Sequence, residues 1–194
     1  MKFDPEIRHR RSIRLANYDY SKAGFYFVTL CTYQKQYLFG EIINDEMQLN
    51  QIGKVVKQEW LRSATIRKEV ELDEWIVMPN HLHGIIIINN IYEEKMYEYQ
   101  SAHSNQGASL APLHRKPKSL SSFMAGFKSA VTKKVRLMCE ISDFVVWQRS
   151  FYESIIKDDI HLDNARLYIQ NNPFNWHQDP EKLSDNINLI DVPF

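Results

Sequence analysis

The chain has 194 residues, of which 44% are hydrophobic and 25% are charged, a composition typical of ordinary soluble globular proteins. This composition excludes disorder throughout and predicts one domain over residues 1–194. No apolar run reaches the roughly 18 residues of a membrane span, and the charged opening does not resemble a secretion signal. We therefore expect a cytoplasmic protein. The two cysteines, Cys31 and Cys139, lack the spacing of a metal cluster and are expected to be reduced thiols.

The net charge is zero, with 24 basic and 24 acidic residues, but the charges are distributed unevenly. Residues 99–139 contain seven basic side chains and no acidic one, and residues 8–14 add four arginines. One such stretch is most often a solvated surface. Two of them in a small domain favour a polyanionic partner.

The first half of the chain predicts a strand, a hairpin and a helix. The β-branched and aromatic run 24–33 is typical of a buried strand, and residues 39–49 predict a short hairpin that turns at Asn44–Asp45. Asn50 can cap a helix, because apolar residues follow it at helical spacing as far as about Ser63.

Two apolar runs follow, at 72–78 and 82–89, and the Pro79–Asn80 pair between them predicts a second hairpin. The unbroken isoleucines of the second run favour a central strand. The polar segment 90–117 has no sustained periodicity, and we expect a flexible loop or a disordered insertion there.

The second half predicts another helix, which Ser119 or Ser121 can cap. The segments after it are predicted as a strand at 144–147, a short helix at 151–156 and a helix at 159–171. This order of elements predicts an α+β fold of ferredoxin-like type, in which helices pack on one face of an antiparallel sheet.

His81 and His83 are the clearest candidates for chemistry. Residues i and i+2 of a strand point to the same face, so both imidazoles are expected on one side of the sheet while Leu82 points into the core. Two imidazoles there could bind one divalent cation. A pair of hydrogen-bonded structural histidines is the alternative, and the spacing alone does not decide between them.

The segment Val77–Ile88 combines an apolar strand, a Pro-Asn turn and the His-Leu-His motif. With it, the chain resembles the single-tyrosine HUH (histidine, hydrophobic, histidine) transposases, especially the branch of REP-associated tyrosine transposases. The resemblance spans nearly the whole chain, apart from residues 90–117. The other matching blocks are Arg11–Tyr20 with the first strand, Leu38–Glu41, Phe123–Ser129, Trp147–Glu153 and Tyr168–Pro173.

The resemblance implies the HUH fold and DNA transposition, a form of DNA recombination. A tyrosine would attack a phosphodiester of single-stranded, hairpin- or repeat-associated DNA, form a 5′-phosphotyrosine bond and free a 3′-hydroxyl. The implied cofactor is Mg²⁺ or Mn²⁺ held by His81 and His83, and no nucleotide cofactor is expected. Related transposases include dimers, so a homodimer stays open for this chain.

The Trp147–Glu153 block departs from the family, which commonly has its nucleophilic tyrosine where this chain has Phe151. Three explanations are open: Tyr152 has taken the catalytic role, Phe151 is a deliberate Tyr→Phe substitution, or the protein is a non-catalytic DNA-binding module. The family often has a histidine at position 154 as a third metal ligand. Since serine stands there, Glu153 is the alternative, weaker oxygen donor.

Several basic residues are candidates for DNA contacts. Arg149, beside the predicted nucleophile segment, is the best single candidate for contact with the scissile phosphate. Contacts to the DNA backbone are predicted for Arg10, Arg11, Arg14, Lys128, Lys133 and Lys134.

Overall fold

The computed structural model describes residues 18–89 and 118–182. The predicted loop at 90–117 and the candidate arginines 10, 11 and 14 lie outside these residues. The strands are β1 (Gly24–Cys31), β2 (Gly40–Ile43), β3 (Glu46–Leu49), β4 (Val70–Val77), β5 (His81–Ile88) and β6 (Tyr152–Ile156). The α-helices are α1 (Gln51–Ile66), α2 (Leu120–Cys139) and α3 (Asp159–Asn171), and short 3₁₀ helices span Tyr33–Lys35 and Trp176–Gln178.

Four strands form one antiparallel sheet in the order β4-β5-β1-β6. If the β2–β3 hairpin is set aside, the chain order is β1-α1-β4-β5-α2-β6, which is the βαββαβ pattern of the ferredoxin-like fold. The predicted fold class is therefore confirmed. Its central strands are β5, which carries the histidine pair, and β1.

Local sequence explains most of the element boundaries. Asn44 and Asp45 both have positive φ angles, 51° and 61°, which suits the tight turn between β2 and β3 that the sequence predicts. The side chain of Asn50 accepts a hydrogen bond from the backbone N–H of Gly53 at 2.9 Å and caps α1. Ser119 caps α2 in the same way through the N–H of Ser122.

The main hydrophobic core lies between one face of the sheet and helices α1 and α2. Alternate residues of the central strands point into it, including Val28 and Ile86. Trp60 of α1 is fully buried there and contacts Phe123 and Phe127 of α2 edge-on, with ring centroids 5.8 and 5.0 Å apart.

Helix α3 packs on the opposite face of the sheet, against β4 and β5. The expectation that the helices share one face is therefore wrong for α3. A smaller core of Ile85, Leu162 and Ile169 lies beneath it. The two faces of the sheet thus have different partners, and the histidine pair lies on the α3 face.

Residues 151–156 were predicted as a short helix and 144–147 as a strand, and both predictions are wrong. The fourth strand of the sheet is β6, while the 144–147 segment makes a single bridge, between Trp147 and Thr32. The free edge of β1 needs hydrogen-bond partners, and Tyr152–Ile156 supplies them with alternating exposed and inward-facing residues. A five-residue alternation is too short for periodicity to separate strand from helix.

Within residues 18–89 and 118–182, none of the helices combines the length and hydropathy needed to cross a lipid bilayer.

Candidate metal and tyrosine site

The register of the central strands brings the two histidines together. His81 lies opposite Cys31 and His83 opposite Thr29 across the β1–β5 pair. Because the two histidines are two residues apart, both rings lie on the α3 face of the sheet, with their centroids 4.3 Å apart. Both are almost completely buried, 0% and 2% exposed.

Each imidazole is oriented by a hydrogen bond at Nδ1. His81 Nδ1 lies 2.8 Å from Oδ1 of Asn80, and His83 Nδ1 lies 2.8 Å from the hydroxyl of Thr29. Since the amide oxygen of Asn80 can only accept, Nδ1 of His81 donates and Nε2 keeps a free lone pair. Outer partners of this kind typically fix the ring orientation of metal-binding histidines.

Asp179 adds a carboxylate to the pair, from the turn that follows α3. Its Oδ2 lies 4.0 Å from Nε2 of His81, and one ligand atom of each of His81, His83 and Asp179 lies within 4.8 Å of the others. Asn172 Nδ2 donates to the same carboxylate oxygen at 2.9 Å, and the N–H of Glu181 donates to Oδ1 at 2.6 Å. The carboxylate is therefore held facing the histidines.

The group fits a divalent cation. Two imidazole nitrogens and one carboxylate oxygen are a donor set that transition metals bind with further positions open. Among the described residues, neither Nε2 of His81 nor Oδ1 of Asn172 has a hydrogen-bond partner, although both atoms are buried. Buried polar atoms are normally satisfied, so a ligand that accepts their lone pairs would explain both.

Burial also sets the charge of the site. Desolvation lowers the pKa of His81 to about 4, despite the opposing effect of the carboxylates of Asp179 and Glu181 and of the Asn172 side chain. Burial, together with the neighbouring His81, lowers the pKa of His83 well below its usual range. Both imidazoles are therefore neutral at pH 7, the form that binds metals.

A tyrosine of α3, Tyr168, lies next to this group. Its hydroxyl lies 3.4 Å from Nε2 of His83, its ring meets that of His83 edge-on at 5.2 Å, and the side chain is 45% exposed. Burial of part of the phenol raises its pKa. Asn172 follows four residues later, so both side chains lie on the same face of the helix end.

Sequence reasoning did not assign Tyr168, Asn172 or Asp179 to the site. The first two fall in the Tyr168–Pro173 block, and their i, i+4 spacing at the end of the helix predicted at 159–171 was a signal that could have singled them out. Asp179 gave no such signal, because it lies in an irregular segment and reaches the histidines only through the fold.

The residues predicted as nucleophile lie on β6. Tyr152 pairs with Thr29, which in turn pairs with His83, so the three residues form one row across the sheet. Tyr152 is therefore on the correct face but two strands from the histidine, and it is 45% exposed. Phe151 packs against the main core.

Glu153 is buried and pairs with Val28, on the face of the sheet opposite the histidines. The register therefore does not bring the predicted weak ligand to the metal group, and Asp179 supplies the carboxylate instead.

The candidate DNA-binding cations differ in their surroundings. Lys134 forms a 2.5 Å salt bridge with the buried Glu59 of α1. Lys128 donates to the backbone carbonyls of residues 148–150, which ties that segment to α2. Lys133 and Arg149 are exposed, and both line a groove between α2 and residues 145–149.

Comparisons with known proteins identify the fold. No family model matches the sequence. The chain has the fold of the REP-associated tyrosine transposases: a solved structure of such a transposase bound to a REP hairpin matches with a TM-score of 0.50 over 92% of this chain and 96% of that one, at 16% identity. The predicted resemblance is thereby confirmed at the level of the fold.

The sequence also has a relative among known proteins. A Haemophilus influenzae protein described as uncharacterized is 43% identical over 178 residues, which cover 92% of this chain and 96% of the relative. The chain belongs to the same protein family as this relative.

Proposed function

We propose that the protein is a metal-dependent DNA strand transferase of the HUH type, which cleaves and rejoins single-stranded, hairpin- or repeat-associated DNA through a phosphotyrosine intermediate. The observation that carries the proposal is the tyrosine hydroxyl of Tyr168, 3.4 Å from Nε2 of His83, beside a buried His-His-Asp group. A partly exposed tyrosine hydroxyl and three side chains that could hold a metal ion occur together at this point, which supports the proposal.

The nucleophile in this proposal is Tyr168 rather than Phe151 or Tyr152. The phenol of Tyr168 lies at the edge of the site and is half exposed, so it can reach a phosphate that also touches the histidine group. Tyr152 is two strands away from the histidine. With Tyr168 in this role, phenylalanine at position 151 does not prevent catalysis. Tyr152 remains the second candidate, because its side chain is on the same face.

The proposed step forms a bond between the Tyr168 oxygen and phosphorus and breaks the bond from phosphorus to the 3′ oxygen. The proton lost by the phenol is balanced by the proton gained by the leaving 3′ oxygen. A phenol is protonated at neutral pH, and partial burial raises the pKa of Tyr168 further, so attack and deprotonation must be coupled. A bound divalent cation supplies charge stabilisation at the phosphoryl oxygens.

The ligands proposed for Mg²⁺ or Mn²⁺ are His81, His83 and Asp179, with the amide oxygen of Asn172 as a further donor. Asn80 and Thr29 orient the two rings through their Nδ1 contacts. The mixed nitrogen and oxygen donor set suits Mn²⁺ better than Mg²⁺, which prefers oxygen ligands.

For DNA binding, the proposal rests most directly on Lys133 and Arg149, which are exposed on one groove. Arg10, Arg11 and Arg14 remain proposed backbone contacts. Lys128 and Lys134 have partners within the protein, so a role in DNA binding would compete with these contacts. The matching transposase structure was solved with a REP hairpin, which supports hairpin DNA as the first substrate to test.

The test is a denaturing gel for a covalent protein–DNA adduct, with hairpin-bearing single-stranded DNA and Mn²⁺. We expect an adduct with this chain and with Tyr152→Phe, but none with Tyr168→Phe, which keeps the ring and removes only the hydroxyl. Loss of the adduct in Tyr152→Phe alone would transfer the nucleophile role to that residue.

An adduct that forms only after Phe151→Tyr would show that the site needs the family's tyrosine. Absence of any adduct, with retained DNA binding, would favour the alternative function: a DNA-binding module of the same fold without strand transfer.

The carboxylates provide a matched control for metal binding. Asp179→Asn is expected to weaken Mn²⁺ binding and adduct formation by at least tenfold, because it removes a charged ligand. Glu153→Gln changes an equally buried carboxylate on the other face and should leave Mn²⁺ affinity unchanged. Equal effects of the two substitutions would contradict the proposed ligand set.

A further inference from the structure

A cavity of about 690 Å³ opens beside the histidine group, between the α3 face of the sheet and α3 itself. This volume is in the range of about 300–1,000 Å³ that is usual for ligand pockets. Its sheet side includes Phe27, Tyr152 and Ser154, and its helix side includes Asn164, Ala165 and Tyr168. The site described above uses only Tyr168 of these six residues.

The walls of the cavity are mainly aromatic and apolar. Phe27 stacks on the ring of His83, with centroids 5.4 Å apart and an interplanar angle of 29°, and meets Tyr168 edge-on at 6.0 Å. Tyr152, 45% exposed, offers a further ring from the neighbouring strand. Flat, apolar walls of this kind stack bases without regard to their sequence.

Polar side chains also line the cavity, including the ionisable His161 and Glu181. The side chains of Gln148, Ser154 and Asn164 line the same cavity, and each carries a hydrogen-bond donor and an acceptor. An aliphatic peptide side chain would leave these groups unpaired, whereas a nucleobase has edges that can use them.

The position of the cavity limits what can occupy it. Tyr168 belongs to both places, since its hydroxyl reaches His83 and its side chain lines the cavity. A phosphate attacked by this hydroxyl would therefore lie beside the cavity, and the nucleotide attached to it would be the part of the DNA nearest to the cavity. A base within a duplex is stacked and paired and could not enter.

We propose that this cavity receives one unpaired nucleobase of the DNA strand, next to the phosphate attacked by Tyr168, and stacks it on the ring of Tyr152. The inference rests on the proposed function and adds a substrate determinant to it. The pocket would be the reason for a preference for single-stranded DNA, and Tyr152 would have a binding role instead of a catalytic one.

The experiment measures binding of hairpin-bearing DNA to protein with the Tyr168→Phe substitution and Mg²⁺, so that cleavage is prevented. A series of oligonucleotides carries one abasic site at each position of the single-stranded segment in turn. The same positions are then labelled with 2-aminopurine, whose fluorescence falls when it stacks. Tyr152→Leu removes the ring, Tyr152→Phe keeps it, and Tyr33→Leu alters a similarly exposed tyrosine, 43%, outside the cavity.

We expect one position at which an abasic site weakens binding and at which 2-aminopurine is quenched. For the oligonucleotide with all its bases, Tyr152→Leu should weaken binding between about fivefold and about a hundredfold. Tyr152→Phe and Tyr33→Leu should leave binding unchanged. The abasic oligonucleotide should bind the Tyr152→Leu protein and its parent equally, because the stacking partner is already gone.

The proposal would be overturned if Tyr152→Leu weakened the binding of intact and abasic DNA by the same factor. It would also be overturned if 2-aminopurine were still quenched in the Tyr152→Leu protein, which lacks the ring. Thermal unfolding of each variant checks the fold, and Ser154→Trp, which fills the cavity from an exposed strand position, should reproduce the loss independently.

The two proposals fail in different ways. If the adduct forms but no position couples to Tyr152, the base pocket is wrong and strand transfer stands. If the coupling and the quenching are present but no adduct forms, the pocket stands as part of a DNA-binding module.

Discussion

The two faces of the central sheet are built from the same strands but carry different kinds of residues. On the α1/α2 face, Val28, Leu82 and Ile86 pack into a continuous core with Trp60. On the α3 face, the neighbouring positions in β1 and β5 are polar: Thr29, His81 and His83, with only a small apolar cluster beside them. Each central strand thus alternates between a residue for the core and a residue for the site.

Because of this difference, we expect one face to contribute mainly to stability and the other to carry the candidate site. The α1/α2 face contains most of the buried apolar surface, which is the main source of folding free energy. The α3 face buries two neutral imidazoles and a carboxylate, which costs desolvation free energy and fixes their geometry. Substitutions on the first face should therefore change stability, and under the proposed function substitutions on the second should change metal binding and adduct formation.

The largest effect is expected from Trp60→Ala, on the core face. The side chain is fully buried against Phe123 and Phe127, and removal of a buried tryptophan typically costs about 3–5 kcal/mol of unfolding free energy. Urea denaturation measures this loss. Leu137→Ala on α2, where the side chain is 70% exposed, should change the free energy by less than about 0.5 kcal/mol.

The second prediction concerns the cost of burying the histidines. In the unfolded chain, imidazoles have a pKa of about 6.5, whereas in the folded protein His81 has a pKa of about 4 and that of His83 is also well lowered. Below pH 6.5 the unfolded state therefore binds protons that the folded state does not. Unfolding free energy, measured in EDTA, should fall as the pH decreases from about 6.5 toward 4.

The limiting slope for each histidine is about 1.4 kcal/mol per pH unit. A variant with both His81→Gln and His83→Gln should lose this part of the pH dependence while it keeps its circular dichroism spectrum. A parent protein whose stability is constant over this pH range would show that the imidazoles are solvated rather than buried.

The third prediction uses Gly84, which lies between His83 and Ile85 and faces the core. A Cβ atom there would lie 2.7 Å from Cζ2 of Trp60 and 3.3 Å from Cβ of Trp75. Since Trp60 is fully buried, its ring or the surrounding core would have to shift to make room, so Gly84→Ala should destabilise the protein by about 1–3 kcal/mol.

Gly126→Ala on α2 is the matched control, because its nearest neighbour would be 3.9 Å away and alanine favours the helix by about 0.5–1 kcal/mol. If overpacking is the cause, Trp60→Phe should offset part of the Gly84→Ala effect. Independent, additive losses would contradict the steric explanation.

The sequence predicts the core face better than the site face. The helical spacing of apolar residues in α1 and α2 and the caps at Asn50 and Ser119 are local signals, and both helices form as predicted. The histidine pair was also found locally, because i, i+2 spacing on a strand fixes a common face.

The rest of the site depends on contacts between distant parts of the chain. Asp179 reaches His81 from almost a hundred residues away, and Tyr168 reaches His83 only because α3 crosses the opposite face of the sheet. The sequence predicts a helix where β6 forms, since five residues without their partner strand carry no decisive period. That error also obscured which face Tyr152 and Glu153 occupy.

The smallest expected effect on stability, and the one that tests how the site face is held, concerns Arg166 of α3. Its guanidinium binds both carboxylate oxygens of Asp73 on β4, at 2.9 and 2.6 Å, and contacts Asp163 at 3.2 Å. Because the apolar cluster under α3 is small, we expect the ion pair between Arg166 and Asp73 to contribute more to the position of the helix than a surface ion pair normally does. The same helix carries Tyr168.

Arg166→Lys keeps the charge but loses the two-oxygen geometry, so we expect a small decrease in melting temperature together with a clear loss of adduct formation. The Arg166 side chain lowers the pKa of Asp73, so the contribution of the pair is present above the unfolded pKa of about 3.9 and disappears as the pH falls through the lower folded value. Gln170→Ala, which removes a single exposed contact from α3 to Glu74, is the control. Equal adduct formation in Arg166→Lys and the parent would mean that the apolar cluster alone positions Tyr168. Apolar packing would then hold the helices on both faces of the sheet, although the α3 face is the more polar of the two.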